Sequence, residues 1–223
     1  KKHIFEEVIC ENSLRNHIDH DVVIVHDPQP LPMIGHYRKR GPWIWRCHVD
    51  LSGPDADLWS YFKPTVEKYD AVILSIEDYK QDLTTPQRFF KPAINPFTIK
   101  NRRLTEQEIN ERLDHYDIPT DLPLVVQISR FDKWKDPEGV IKAFKIAQKS
   151  VDARLVLLGN VSTDDPEGEQ VYKSLLDYRS DRIIIMSRED TALVNALQTK
   201  AAVVLQKSLR EGFGLTVTEA MWK

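Results

Sequence analysis

Seven short runs of apolar, mostly β-branched residues set the narrowest bound on how this chain can fold: 22–25, 43–47, 71–74, 124–128, 155–158, 183–186 and 202–205. Most are apolar at every position rather than at alternate ones, which is the pattern of strands covered on both faces. Helical patterns separate them. Asp136-Pro137-Glu138 reads as a helix start, with Asp as N-cap and Pro at the first helical position; Val140, Ile141, Phe144 and Ala147 then share one face. Val171, Leu175 and Leu176 form a second stripe, and Leu193, Val194 and Leu197 a third. Strand–helix alternation of this kind predicts an α/β chain built on doubly wound parallel sheets.

The alternation breaks between Phe89 and Pro123. That stretch holds Pro92, Pro96, Pro119 and Pro123 around a charged helix at about 105–115, which Thr105 and Glu108 open in capping-box spacing. A Pro-rich, charged connection between two α/β blocks reads as an interdomain linker. The expected division is 1–92 for one Rossmann-like domain, 93–120 for the linker and 121–223 for a second Rossmann-like domain. Each block has few strands, and Lys1-Lys2-His3 and Met221-Trp222-Lys223 both fall inside helical patterns. Both domains are therefore expected to be incomplete.

The formal net charge is −3, with 31 Lys and Arg against 34 Asp and Glu, so nothing asks for nucleic acid or an anionic membrane as partner. No apolar run approaches a membrane span and no signal peptide opens the chain, which points to the cytoplasm. Cys10 and Cys47 lack metal-ligand spacing and read as free thiols. No His, Cys or Asp cluster has metal spacing either, so no metal and no bound cofactor are expected.

In open parallel sheets, ligands bind beyond the carboxyl ends of the strands. Two stretches there hold the chemistry. In Arg210-Glu211-Gly212-Phe213-Gly214-Leu215-Thr216-Val217-Thr218-Glu219, two glutamates flank a glycine turn that opens a helix. Such a turn lets backbone N–H groups approach a phosphate closely. Glu211 could accept bonds from sugar hydroxyls, and Glu219 from ribose hydroxyls. An isolated E-G-F-G is, however, more often a loop with two solvated glutamates. In Ser129-Arg130-Phe131-Asp132-Lys133-Trp134-Lys135-Asp136, Arg130 and Lys135 follow a strand and precede a helix, where two cations could clamp a diphosphate. A solvated charged loop is the competing reading. On the first block, His26 and Asp27, and Arg46, His48 and Asp50, also follow strands. Trp43, Trp45 and Trp59 could line a sugar subsite, although packing under the sheet is the commoner use of such residues.

Together, the Arg–Lys pair and the E-G-F-G-L-x-V-x-E-A run resemble glycosyltransferase family 4, of the GT-B fold. The stretches around His26-Asp27-Pro28-Gln29-Pro30, Trp45-Arg46-Cys47-His48-Val49-Asp50 and Asp164-Asp165-Pro166-Glu167-Gly168 are similar to its trehalose-forming branch in thermophiles. The resemblance implies glucosyl transfer from a nucleoside diphosphate glucose (UDP-, ADP- or GDP-glucose) to free glucose, giving α,α-trehalose with retention. It implies that Glu211, His48, Arg130 and Lys135 are catalytic. Arg130, Lys135, Glu211, Gly212, Phe213, Gly214, Leu215 and Glu219 would hold the donor. From their place at strand ends, His26, Asp27, Arg46 and Asp50 are candidates for the acceptor, against a structural bond from His26 to backbone. A homodimer is a further expectation. Family members commonly carry Lys-Gly where this chain has Lys135-Asp136. A trehalose phosphorylase and a non-catalytic nucleotide-binding piece are the alternatives.

Overall fold

The computed structural model describes residues 2–161 and 166–223, except for the side chain of Pro166. Asp164 and Asp165, on which part of the branch resemblance rests, lie outside the described residues. The chain divides into two compact units, Lys1–Pro92 and Ala93–Lys223.

In the first unit, helix α1 (Lys2–Arg15) precedes strand β1 (Val23–His26), strand β2 (Trp43–Arg46), helix α2 (Ala56–Val66), strand β3 (Ala71–Leu74) and strand β4 (Gln87–Phe89). The strands pair in parallel in the order β1-β2-β3-β4. Asp55 caps α2 by accepting the Leu58 N–H at 2.9 Å. The core gathers Val25, Leu31, Trp43, Trp45, Val66, Tyr69, Val72 and Leu74. Trp43 and Trp45 are thus core residues. The sequence pattern does not mark β4. Gln87-Arg88-Phe89 has no apolar run of its own and becomes a strand by pairing along Val72-Ile73-Leu74. Of α1, only Ile9 is buried.

In the second unit, helix α3 (Glu106–His115) is followed by strand β5 (Leu124–Ile128), helix α4 (Pro137–Ala147), strand β6 (Arg154–Gly159), helix α5 (Pro166–Leu175), strand β7 (Ile183–Ser187), helix α6 (Thr191–Lys200), strand β8 (Val203–Leu205) and helix α7 (Leu215–Met221). All pairings are parallel, in the order β7-β6-β5-β8. Successive strand residues face opposite sides of a sheet. Val156 and Leu158 accordingly pack with Leu193 and Leu197 of α6, whereas Leu155 and Leu157 pack with Val140, Ile141 and Phe144 of α4. Burial on both faces is what made these runs apolar throughout.

Residues 93–120, read from the sequence as a linker, contribute Ile109, Leu113 and Ile118 to this second core. The Thr105–Glu108 capping box that opens α3 is complete in both directions. The buried Asn195 side chain donates to the Ile99 and Arg102 carbonyls, both at 2.8 Å, which fixes the stretch ahead of α3 to α6.

Candidate functional site

The strand order locates the site in the second unit. From β5 the chain steps to β6 and β7, then returns to pair β8 on the other side of β5. Between β5 and β8 the direction of winding reverses, and loops leaving such a point part to form a crevice. The loop after β5 carries Arg130 and Lys135, and the loop after β8 carries Glu211.

Asp132 shapes the first loop. Its Oδ1 accepts the N–H groups of Trp134 (2.8 Å) and Lys135 (3.1 Å) and so starts a 3-10 turn, Lys133–Lys135. The turn directs Lys135 across the crevice, where its Nζ lies 2.6 Å from Glu211 Oε2. The same carboxylate oxygen accepts the Ser208 hydroxyl at 3.1 Å and the Gln206 amide. Burial pushes the Glu211 carboxyl upward, but the Lys135 ammonium and these donors outweigh it, and the net result lies below the ordinary value of 4.5. Glu211 is therefore an anion fixed by donors from both loops.

Arg130 takes a different position. Its side chain is 72% exposed, with Nη2 3.4 Å from Asp132 Oδ2. Asp136 has φ 45° and ψ 50°, the left-handed region that glycine adopts freely. Here an aspartate holds it, capping α4 through the Gly139 N–H at 3.1 Å and pairing with Lys207. The Lys207 contact is the main cause of the lowered Asp136 pKa. Gly214, at φ 82°, ends the glycine turn and opens α7 at Leu215.

The structure does not bring Glu219 to this cluster. Glu219 is buried on α7, with Oε2 2.7 Å from Lys100 Nζ. The Trp222 indole donates to the Asn101 carbonyl at 3.1 Å, so the end of α7 is tied to residues 100–101.

The first unit gathers a second set of residues at its strand ends. Asp27, at φ 68°, accepts the His48 backbone N–H on Oδ1 at 2.9 Å, and its own carbonyl accepts the Trp45 indole N–H at 2.9 Å. These bonds bring the His26 and His48 rings edge to edge, their planes 10° apart, with Nδ1 of His26 2.9 Å from Nε2 of His48. One nitrogen donates and the other accepts. Burial lowers the His48 pKa; Asp27 opposes this, and Arg46 and His26 reinforce it. Arg46 is buried, with Nη2 3.4 Å from Ser75 Oγ and Nη1 without a partner among the described residues. Burial pushes the Cys47 thiol up to about 12. Asp50 turns inward on its own loop, accepting the Ser52 N–H at 2.8 Å and hydroxyl at 2.6 Å.

Sequence reasoning did not single out Gln127, Gln206, Lys207 or Ser208 as site residues. For Gln127 a signal was present: a lone amide inside Leu124-Val125-Val126-Gln127-Ile128 must find partners once buried.

Residues 108–222 match the family model "Glycosyl transferases group 1". The chain belongs to the group 1 glycosyl transferases. Residues 1–81 match a second family model, that of the trehalose synthase N-terminal domain. This group 1 chain is 42% identical over 211 residues to a trehalose synthase of Thermococcus litoralis, a match covering 91% of the chain and 51% of that relative. It thus spans about half the length of the curated relatives it matches. Among solved structures, sucrose-phosphate synthase from Thermosynechococcus elongatus superposes with a TM-score of 0.74 at 18% identity, covering 99% of this chain and 59% of that one. Anabaena HepE in complex with UDP and glucose gives 0.71 at 16% identity, covering 98% and 60%. The fold is the GT-B type expected from the sequence, with two parallel α/β sheets. Among the described residues, no helix is long and apolar enough to cross a membrane.

Proposed function

We propose that this chain is part of a retaining transferase that moves a glucosyl group from a nucleoside diphosphate glucose to free glucose, forming α,α-trehalose. The observation that carries the reading is the meeting of Lys135 and Glu211 at 2.6 Å across the reversal between β5 and β8. A cation from one loop and an anion from the other suit a ligand with a phosphate at one end and hydroxyls at the other.

In this reading Lys135 and Arg130 bind the diphosphate and neutralise it as it leaves, while Glu211 accepts bonds from the glucosyl hydroxyls. Gly212, Phe213, Gly214 and Leu215 offer backbone donors. Glu211 stands in a web of donors, as a sugar-positioning group would. Retention then follows from attack on the face the phosphate leaves, with the departing phosphate taking the acceptor proton, so that the protein orients reactants and stabilises charge. No metal takes part. Glu219 meets the ribose once Lys100 yields or shares the carboxylate. His26, Asp27, Arg46 and His48 hold the acceptor; Asp50 supports them through its turn. Kinship with trehalose synthases supports glucose as that acceptor.

The test is to incubate the full-length protein with glucose and UDP-, ADP- or GDP-glucose in turn and to identify the disaccharide by its anomeric NMR couplings. α,α-Trehalose is expected from at least one donor. Trehalose formed only from glucose 1-phosphate with release of phosphate would replace this reading with a phosphorylase.

A further inference from the structure

Among the described residues, contacts that run from loop to loop join the β5 and β8 loops: the Lys135–Glu211 pair, the Asp136–Lys207 pair, the Leu209 N–H donating to the Trp134 carbonyl at 2.7 Å, and the Arg210 guanidinium over the Trp134 ring, 5.9 Å from its centre. Contacts of that kind hold the loops to each other without themselves reaching the sheet; the start of the β5 loop is tied there by the Ser129 N–H, which donates to the Leu158 carbonyl at 3.1 Å. Gln127 differs because it is rooted in the sheet. It lies in β5, with Leu157 of β6 as its neighbour on one side and Leu205 of β8 on the other, and it is 3% exposed.

Both ends of its side-chain amide are used. Nε2 donates to the Lys135 carbonyl at 2.9 Å, and Oε1 accepts the Lys207 N–H at 3.3 Å. A carbonyl can only accept and a backbone N–H can only donate, so the two loops dictate which way the amide faces. Glutamine is the neutral side chain of this length with a donor and an acceptor at its tip. Methionine fills the space and supplies neither. Ionised glutamate supplies only the acceptor and sets a charge against the Lys135 carbonyl. One of the residues it grips is Lys135 itself, and the other, Lys207, lies four residues before Glu211.

We propose that Gln127 is a positioning residue of this site, its buried amide referring the Lys135 loop and the Glu211 loop to the sheet and so setting the gap a ligand must fit. The role in ligand fit rests on the proposed function; the tie between the loops does not. Gln127 reaches substrate through Lys135 and Glu211 and touches none itself.

The test uses Gln127→Met and Gln127→Glu in the protein, read first by hydrogen exchange without ligand. Methionine should speed exchange by about tenfold in the segments 129–136 and 206–214 together, the scale expected for losing two neutral hydrogen bonds, and leave β6 unchanged. Titration with whichever of UDP, ADP and GDP binds the unaltered protein should show about tenfold weaker binding of the diphosphate to the methionine variant. Binding of the matching nucleoside should not change, whereas general damage to the fold would weaken both.

Glutamate supplies a check that does not depend on the methionine variant folding. A buried carboxyl takes up its proton readily and then regains a donor. Loop exchange in the glutamate variant, corrected by the unaltered protein at each pH, should therefore return toward normal between pH 8 and pH 5 (about the range in which a buried carboxyl protonates). Unchanged exchange in either loop of the methionine variant, equal losses for diphosphate and nucleoside, or a glutamate variant insensitive to pH would each overturn the proposal. Failure of the unaltered protein to bind any of the three diphosphates would refute the proposed function instead, and the exchange measurement would still decide whether Gln127 ties the loops.

Discussion

Replacing Lys135 with methionine removes the ammonium that faces Glu211 while keeping most of the side chain's bulk. The charges stand 2.6 Å apart, and the two side chains are 16% and 29% exposed, between a surface pair and a buried one. At an effective dielectric constant of about 20 their attraction is roughly 6 kcal/mol, most of which desolvation offsets. Exposed pairs contribute about 0–1 kcal/mol, and breaking a fully buried one costs about 3–5 kcal/mol. The coupling expected here is therefore about 1–3 kcal/mol.

A double-mutant cycle of Lys135→Met and Glu211→Gln measures it. Urea unfolding would be followed through amide signals of β5 and β6, which report the second unit. Because the Glu211 pKa is depressed in the fold, its contribution is present above the ordinary value of 4.5 and is lost as pH falls through the folded value. The coupling should accordingly shrink in acid. A coupling below about 0.5 kcal/mol at neutral pH would refute the claim that this pair organises the crevice.

Arg130→Ala should leave urea stability within about 0.5 kcal/mol, as for other exposed side chains, yet weaken a nucleoside diphosphate by roughly 10- to 150-fold without affecting the nucleoside, measured by calorimetry. Asp136→Gly should relieve the left-handed backbone while losing the Lys207 pair and the cap on the Gly139 N–H, so urea stability should move by no more than about 1 kcal/mol; a loss above about 2 kcal/mol would mean that pair and cap together outweigh the strain. His48 has a lowered folded pKa, so the unfolded chain binds more protons as pH drops below the ordinary 6.5. Melting temperature should fall over that window, and His48→Gln should flatten the fall.

The parallel sheets were legible because their strands carry apolar runs, most fully in β5 and β6, which are buried on both faces. β4 was not, because Gln87-Arg88-Phe89 acquires its conformation from β3 rather than from its own side chains. Local signals served well where the physics is local: Thr105 and Asp136 open helices as their spacing predicts. The site was legible as residue types and not as contacts. Lys135 and Glu211 stand 76 positions apart, and their meeting depends on β8 returning to the free side of β5, which no local pattern encodes. The burial of Glu219 against Lys100 depends on how α7 packs against the stretch ahead of α3, and the glutamate spacing alone gave no hint of it. Gln127 was visible but unassigned, since a buried amide announces that it has partners without naming them.

The unequal settings of the two sulfur atoms give the molecule a practical handle. Cys47 is buried, with its thiol held protonated up to about 12, while Cys10 lies exposed on α1. Thiolate is the form that alkylating reagents attack. Of these two thiols, a maleimide dye offered to the folded protein should therefore take Cys10 and spare Cys47, which places the tag on a helix outside both residue clusters. Fluorescence from that tag could then follow ligand titrations without a substitution in either cluster.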